Sequence, residues 1–245
     1  MTRGIFITGT GTGVGKTVCA TALVRWLAQR GLRVAGLKPV ASGGLRSSPR
    51  APLRNSDALE LQAASSATLA YEETNPWCFE PPVAPHLAAR EAGQAIRLDD
   101  LVEWYRRVTT GLDVAVVEGA GGWRVPLHPE GFLSDLPDAL GLEVILVVGL
   151  TLGCLNHARL TFEAIAASDR SRWLGWVANG IDPEFERREE NLATLGDLLG
   201  APPLAQVQWF DRARSSDGHV HAPLEACAGL EEQFSRTPGR RPDAR

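Results

Sequence analysis

Residues 9–17 read Gly-Thr-Gly-Thr-Gly-Val-Gly-Lys-Thr, and no other segment constrains the fold as tightly. An apolar run at 5–8 precedes them, and a helical pattern at 17–29 follows, with Gly31 in the C-cap role. Strand, glycine loop, Lys-Thr and helix in that order form the context of a phosphate-binding loop. Glycines let successive backbone N–H groups turn inward, and the helix N-terminus adds partial positive charge. Lys16 supplies a mobile point charge for β/γ-phosphates, and the Thr17 hydroxyl suits Mg²⁺. The loop is a variant: Gly9 and Gly15 are separated by five residues, one more than the strict pattern allows, and the strict position holds Thr10. The dinucleotide pattern fails too, because its third glycine falls at Val14 counted from Gly9 and at Lys16 counted from Gly11.

Further apolar runs lie at 33–37, 114–117, 144–148 and 174–178, with a last one at 205–208. They do not alternate with polar residues, as expected of parallel strands buried on both faces. Helical patterns at 57–64, 98–108, 156–167 and 184–199 separate them. The alternation implies an α/β fold: an open, mostly parallel sheet with helices on both faces, of P-loop NTPase type. Ligands in such folds bind at the carboxyl ends of the strands. Two long connections, 39–56 and 72–85, interrupt the pattern and are expected to be functional loops. The expected organisation is one domain over 1–215 and a polar, partly disordered tail over 216–245.

The net charge of −4 offers no global field for nucleic acid or an anionic membrane. No run approaches the ~20 apolar residues of a bilayer span. The chain starts directly with a strand and glycine loop, without the regions of a signal peptide, so a cytoplasmic protein is expected. Cys19, Cys78, Cys154 and Cys227 are scattered, which argues against a disulfide framework or structural zinc. His219, His221 and Cys227 are better read as part of a solvated tail than as metal ligands.

Several polar residues fall at strand ends beside the loop. Lys38 follows the run at 33–37; it either snorkels to water or neutralises charge on a transferring phosphoryl group. Asp57 opens a helix, as an N-cap or, with Ser56 serving as cap, as a metal ligand. Glu118 ends the run at 114–117, the usual place for a Mg²⁺ partner opposite a P-loop. Gly119, Ala120 and Gly121 then allow close backbone approach to phosphate. Thr17, Asp57 and Glu118 together would give one Mg²⁺ three oxygen ligands, with triphosphate and water completing an octahedron. The helix start at Cys154, Leu155 and Asn156 offers backbone N–H groups to a carboxylate. Cys154 has no acid–base partner nearby in sequence and reads as a packing residue, and His157 as a satisfied helix residue. Asn179, before Gly180, is either a turn residue or a reader of adenine.

Taken in order, these segments resemble the dethiobiotin synthetase family: GTGTGVGKT at 9–17, KPVASG at 38–43, NSDAL at 55–59, PVAPH at 82–86, VEGAGGW at 117–123, LGCLNH at 152–157 and GWVAN at 175–179. The resemblance implies an ATP- and Mg²⁺-dependent ligase that closes a cyclic urea on 7,8-diaminononanoate with CO₂. It implies that Lys16, Lys38 and Thr12 serve the γ-phosphoryl and carbamate oxygens, and Ser42 the carbamate or diamine end. Gly13, Val14, Gly15, Lys16, Thr17 and Val18 would wrap the triphosphate. Asn179 and Gly180, with Gln208, Trp209 and Phe210, would hold the base. A homodimer is also implied, in which the substrate carboxylate reaches Cys154, Leu155 and Asn156 of the second subunit.

Two other classes share parts of the pattern. Partner-switching ATPases that position plasmids or division sites carry a lysine where Gly11 stands. Glutamine-dependent amide ligases need a glutaminase domain, for which the ~35 residues after Phe210 are too few.

Overall fold

The apolar runs become a sheet whose two faces are both buried, which is why they show no alternation. In the computed structural model, residues 2–210 and 228–235 are described. The chain runs β1 (Arg3–Gly9), α1 (Lys16–Ala28), β2 (Val34–Leu37), β3 (Val40–Ala41), α2 (Ser56–Ala64), α3 (Tyr71–Thr74), β4 (Trp77–Cys78), α4 (Pro85–Glu91) and α5 (Leu98–Val108). It continues β5 (Val114–Glu118), β6 (Pro126–His128), β7 (Gly131–Phe132), α6 (Asp135–Leu140), β8 (Glu143–Leu150), α7 (Cys154–Ala166), β9 (Arg172–Gly180), α8 (Arg188–Leu199), β10 (Ala205–Val207) and α9 (Ala228–Ser235).

The main sheet has six strands in the order β10-β9-β8-β1-β5-β2. Every pairing in it is parallel, so the carboxyl ends share one edge. Successive side chains go to opposite faces. On one face Phe6, Ala115, Val117, Val144, Leu146 and Val148 pack with residues of α5, α6, α7 and α8. On the other, Ile5, Ile7, Val114, Val116, Ile145 and Val147 pack with α1, α2 and α9. Burying Ile5, Phe6 and Ile7 on the central strand contributes about 1.5–3 kcal/mol each.

Helix α5 occupies the span its spacing predicts, because Leu101, Trp104, Tyr105 and Val108 form one buried stripe. Helix α7 starts two residues earlier than its apolar pattern suggests, since Gly153 (φ 95°) sets its first turn from outside. Helix α8 starts four residues later than expected. Asp182 caps a turn by accepting from the Glu184 N–H, and Arg187 (φ 54°) interrupts helical geometry before the first turn.

The two long connections are not structureless. Val40 pairs with Trp77 and Ala41 with Cys78, so β3 and β4 form a small parallel sheet, and Leu45 bridges Arg54. Within the expected tail, α9 folds back onto the core. Phe234 stacks edge-on against Trp26 with centroids 5.7 Å apart, and the Leu230 N–H donates to the Leu204 carbonyl. Two buried positions four residues apart, Leu230 and Phe234, make too short a pattern to read from sequence. His219, His221 and Cys227 lie outside the described residues. Among the described residues no helix is long and apolar enough to cross a membrane.

Candidate active site

Parallel register brings the polar strand ends together. Ile7 of β1 is level with Glu118 of β5, and Val117 is level with Leu37 of β2, which sets Lys38 beside Glu118 at the sheet edge. The phosphate loop leaves β1 at the same edge. Its conformation needs glycine at two points, Gly13 (φ 80°) and Gly15 (φ 85°). Gly15 is the N-cap of α1, so the helix dipole points into the loop. A Cβ on Gly15 would stand 2.0 Å from Asn179 Nδ2, so that glycine also keeps the loop against β9.

These elements enclose a cleft of 840 Å³. Its floor is the loop with Thr12, Gly13, Gly15, Lys16 and Thr17, and its sides carry Lys38, Ser42, Asp57, Glu118, Ala120 and Gly121. Lys16 curls back, and Nζ donates to the Gly11 carbonyl at 2.8 Å. Lys38 Nζ contacts Glu118 Oε1 at 2.6 Å, Asp57 Oδ2 at 3.2 Å and the Gly119 carbonyl at 3.2 Å. Thr17 Oγ1 donates to the same Glu118 Oε1 at 2.9 Å. Glu118 Oε2 is buried and has no hydrogen-bond partner.

The charges respond to this crowding. Burial, then the neighbouring Lys38, lowers the Lys16 ammonium from 10.5 to about 8, against the pull of Glu118 and Asp57. Burial also works against a charge on Lys38, but Glu118 and Asp57 outweigh it and hold Lys38 protonated, above the usual lysine range. For Glu118, burial raises the carboxyl above the usual carboxylate range; Lys38 and the Thr17 hydroxyl pull it down and Asp57 pushes it up, without reversing that direction.

Asn55 and not Ser56 or Asp57 caps α2, its Oδ1 accepting from the Asp57 N–H at 3.1 Å and the Ala58 N–H at 3.3 Å. Asparagine places its carbonyl as well as serine does, and the cap leaves the Asp57 carboxylate to the cleft. The donors that meet here (hydroxyl, two carboxylates) are hard oxygens that suit Mg²⁺, and the unpartnered Glu118 Oε2 is a buried acceptor that a cation would satisfy. Among the described residues no three His, Cys, Asp or Glu side chains cluster for a metal.

A second cavity of 320 Å³ adjoins the loop, lined by Gly13, Gly15, Val18, Asn179, Gly180, Ile181, Trp209 and Phe210. Asn179 is buried at the end of β9, and its Nδ2 donates to the Val14 carbonyl at 2.8 Å. One amide hydrogen is thus committed to holding the loop. Trp209 is half exposed and offers a flat wall of the size of a base.

Some expected residues lie away from the cleft or from both cavities. Val14 lies beneath the loop in the core, and its contribution is the carbonyl that Asn179 holds. Gly119 meets the site only through its carbonyl. Val18 lines the second cavity and not the cleft. Gln208 turns away and accepts from Arg188 Nη1 at 2.7 Å. Cys154, Leu155 and Asn156 at the start of α7 line neither cavity, with Cys154 buried in the core. Conversely, residues 82–85 with Arg124, Val125 and Pro126 form a cleft wall that spacing did not assign. The only sequence signal for it was the PVAPH segment, and Arg124 gave none.

A family model described as an AAA domain matches residues 3–215. An ATP-dependent dethiobiotin synthetase from Pseudomonas aeruginosa (strain UCBPP-PA14) is 49% identical over 221 residues, covering 89% of this chain and 95% of that protein. Its counterpart in Pseudomonas paraeruginosa (strain DSM 24068 / PA7) is 52% identical over 205 residues, covering 82% and 88%. The chain belongs to the dethiobiotin synthetase family. Cellvibrio japonicus (strain Ueda107) has another member, 45% identical over 222 residues. Solved structures share this chain's fold at low identity. The MinD cell division protein of Aquifex aeolicus aligns at TM-score 0.56 and 16% identity, covering 86% of this chain and 84% of that one. A ParA family ATPase from Chlorobium tepidum TLS aligns at 0.52 and 12%, covering 85% and 84%. Those likenesses concern the fold alone, and the family's loop carries Gly11 here where such ATPases were expected to carry lysine.

Proposed function

We propose that this chain makes dethiobiotin from 7,8-diaminononanoate, CO₂ and ATP. The observation that carries the reading is the meeting of two lysines, two carboxylates and the Thr17 hydroxyl in one cleft, in a chain about half identical to dethiobiotin synthetases over most of its length.

In this reading one amine of the diamine adds to CO₂ and releases a proton, giving a carbamate. A carbamate oxygen displaces ADP from the γ-phosphorus and yields a carbamic–phosphoric anhydride. The second amine attacks the carbonyl carbon, loses a proton and expels phosphate, closing the ureido ring. Phosphorylation is needed because an unactivated carbamate oxygen leaves poorly. Lys16 and Lys38 stabilise charge on the phosphoryl and carbamate oxygens, with Thr12 at the same end of the cleft. Ser42 faces the carbamate or diamine end. Backbone groups of Gly13, Gly15, Ala120 and Gly121 border the phosphates, and Asn179, Gly180, Trp209 and Phe210 border the base. Thr17, Asp57 and Glu118 hold Mg²⁺, which when bound neutralises the triphosphate.

The reading includes a cytoplasmic homodimer. Leu152 is 94% exposed and Leu160 58% exposed, one before and one after Cys154, Leu155 and Asn156 in the chain. The Cys154 N–H donates to the Thr151 carbonyl at 3.0 Å, so a partner subunit covering the two leucines brings the N–H groups of Leu155 and Asn156 toward a substrate carboxylate. Sedimentation equilibrium tests this: wild type is dimeric and Leu152→Asp with Leu160→Asp is monomeric, whereas a monomeric wild type removes the shared site. The reaction itself is tested by mass spectrometry of the product formed from Mg-ATP, bicarbonate and the diamine.

A further inference from the structure

Lys38 occupies the position of a cation. Its Nζ lies within 3.2 Å of Asp57 Oδ2 and 2.6 Å of Glu118 Oε1, the two carboxylates of the proposed Mg²⁺ site, and within 3.2 Å of the Gly119 carbonyl. The ammonium fills the point that an ion bridging the two carboxylates through Asp57 Oδ2 and Glu118 Oε1 would take. We propose that Lys38 is a placeholder for the metal, which it releases only when an anion in the cleft takes over its charge, so that the metal enters together with phosphate and not alone.

The local structure favours a side-chain switch. The main chain of Lys38 is fixed at both ends: its N–H donates to the Thr74 carbonyl at 2.8 Å, and its carbonyl accepts from Asn75 Nδ2 at 2.7 Å. The four-carbon stem therefore moves while the backbone stays. Lys38 is buried, so leaving the carboxylates for an empty cleft strands an unpaired charge. When a triphosphate is present the same rotation delivers the ammonium to an anion, and the metal replaces it between Asp57 and Glu118. Metal and anion then strengthen each other's binding through one residue, which is a coupling between ligands and reciprocal by necessity.

This inference rests on the proposed metal site, and its test uses neither diamine nor turnover. Mn²⁺ alone is titrated into nucleotide-free protein and followed by electron paramagnetic resonance. Lys38→Met, which keeps the stem and removes the charge, is expected to bind Mn²⁺ at least about tenfold more tightly than wild type, and Lys38→Gln likewise. Lys38→Arg, which keeps a cation on the carboxylates, stays as weak as wild type. Equal Mn²⁺ affinity in wild type and both uncharged variants overturns the proposal, as does tight binding by Lys38→Arg. Should Lys38→Met not fold, Lys38→Gln and Lys38→Arg carry the comparison. Failure here leaves the dethiobiotin reading standing, and failure of that reading in the product assay leaves the titration result intact.

Discussion

Replacing Gly15 by alanine tests how the phosphate loop is held against the sheet. Two costs are visible. Gly15 has φ 85°, a left-handed conformation that costs a residue with a Cβ about 1–2 kcal/mol. The new Cβ would also stand 2.0 Å from Asn179 Nδ2, so Asn179 must turn away and give up its bond to the Val14 carbonyl. Losing that buried bond adds about 1–2 kcal/mol, for a total of roughly 2–4 kcal/mol. Asn179→Ala alone loses the same bond and costs about 1–2 kcal/mol. In the double variant the bond is lost only once, so it should be more stable than the sum of the singles by about 1–2 kcal/mol. Urea unfolding followed by fluorescence of the seven tryptophans measures all four proteins. Additivity within about 0.5 kcal/mol would refute the claim that Gly15 exists to accommodate Asn179.

Lys38→Ala should fold and lose roughly 10²-fold or more in turnover, and near-normal steady-state rates would remove Lys38 from charge stabilisation. Lys16 should make nucleotide binding pH-dependent. Its ammonium, lowered to about 8, deprotonates in the free protein above that pH, while a bound phosphate favours the charged form. ATP affinity therefore falls as pH rises from about 8, and binding near pH 9 takes up a proton that binding near pH 7 does not. Calorimetry in buffers of different ionisation heat reads that uptake, and its absence near pH 9 contradicts the assignment. The same shift makes Lys16 a cost to folding below about 8 that fades as pH rises toward 10.5, where the unfolded lysine also deprotonates. Cys154→Ser should remain active and lose about 1–2 kcal/mol of stability on denaturant unfolding, because Cys154 is a buried packing group; a folded but inactive variant would point to nucleophilic chemistry.

The sheet was legible because its strands are buried on both faces, and uninterrupted apolar runs such as Val114 to Val117 admit few other readings. The site was legible where a polar residue ends such a run, as Glu118 and Lys38 do, since parallel register brings those ends to one edge. What escaped was decided by contacts distant in sequence. The pairing of Val40 with Trp77 folds the loop at 82–85 over the cleft, and neither strand is long enough to read. Asn55 won the cap of α2 over Ser56 and Asp57, though all three suit the position and only geometry separates them. Gln208 follows the last strand but is drawn off by Arg188, twenty residues earlier in the chain. Helix α9 shows itself only by docking on Trp26 and Leu204.

The central claim is that ATP cleavage in this cleft serves ring closure on a diamine. Phosphate release is measured with Mg-ATP and bicarbonate, with and without 7,8-diaminononanoate, and the product is weighed by mass spectrometry. Release that depends on the diamine is expected, together with a product of dethiobiotin mass. Release indifferent to the diamine, or none at all, would contradict it and leave a phosphate-loop protein with some other use for its nucleotide.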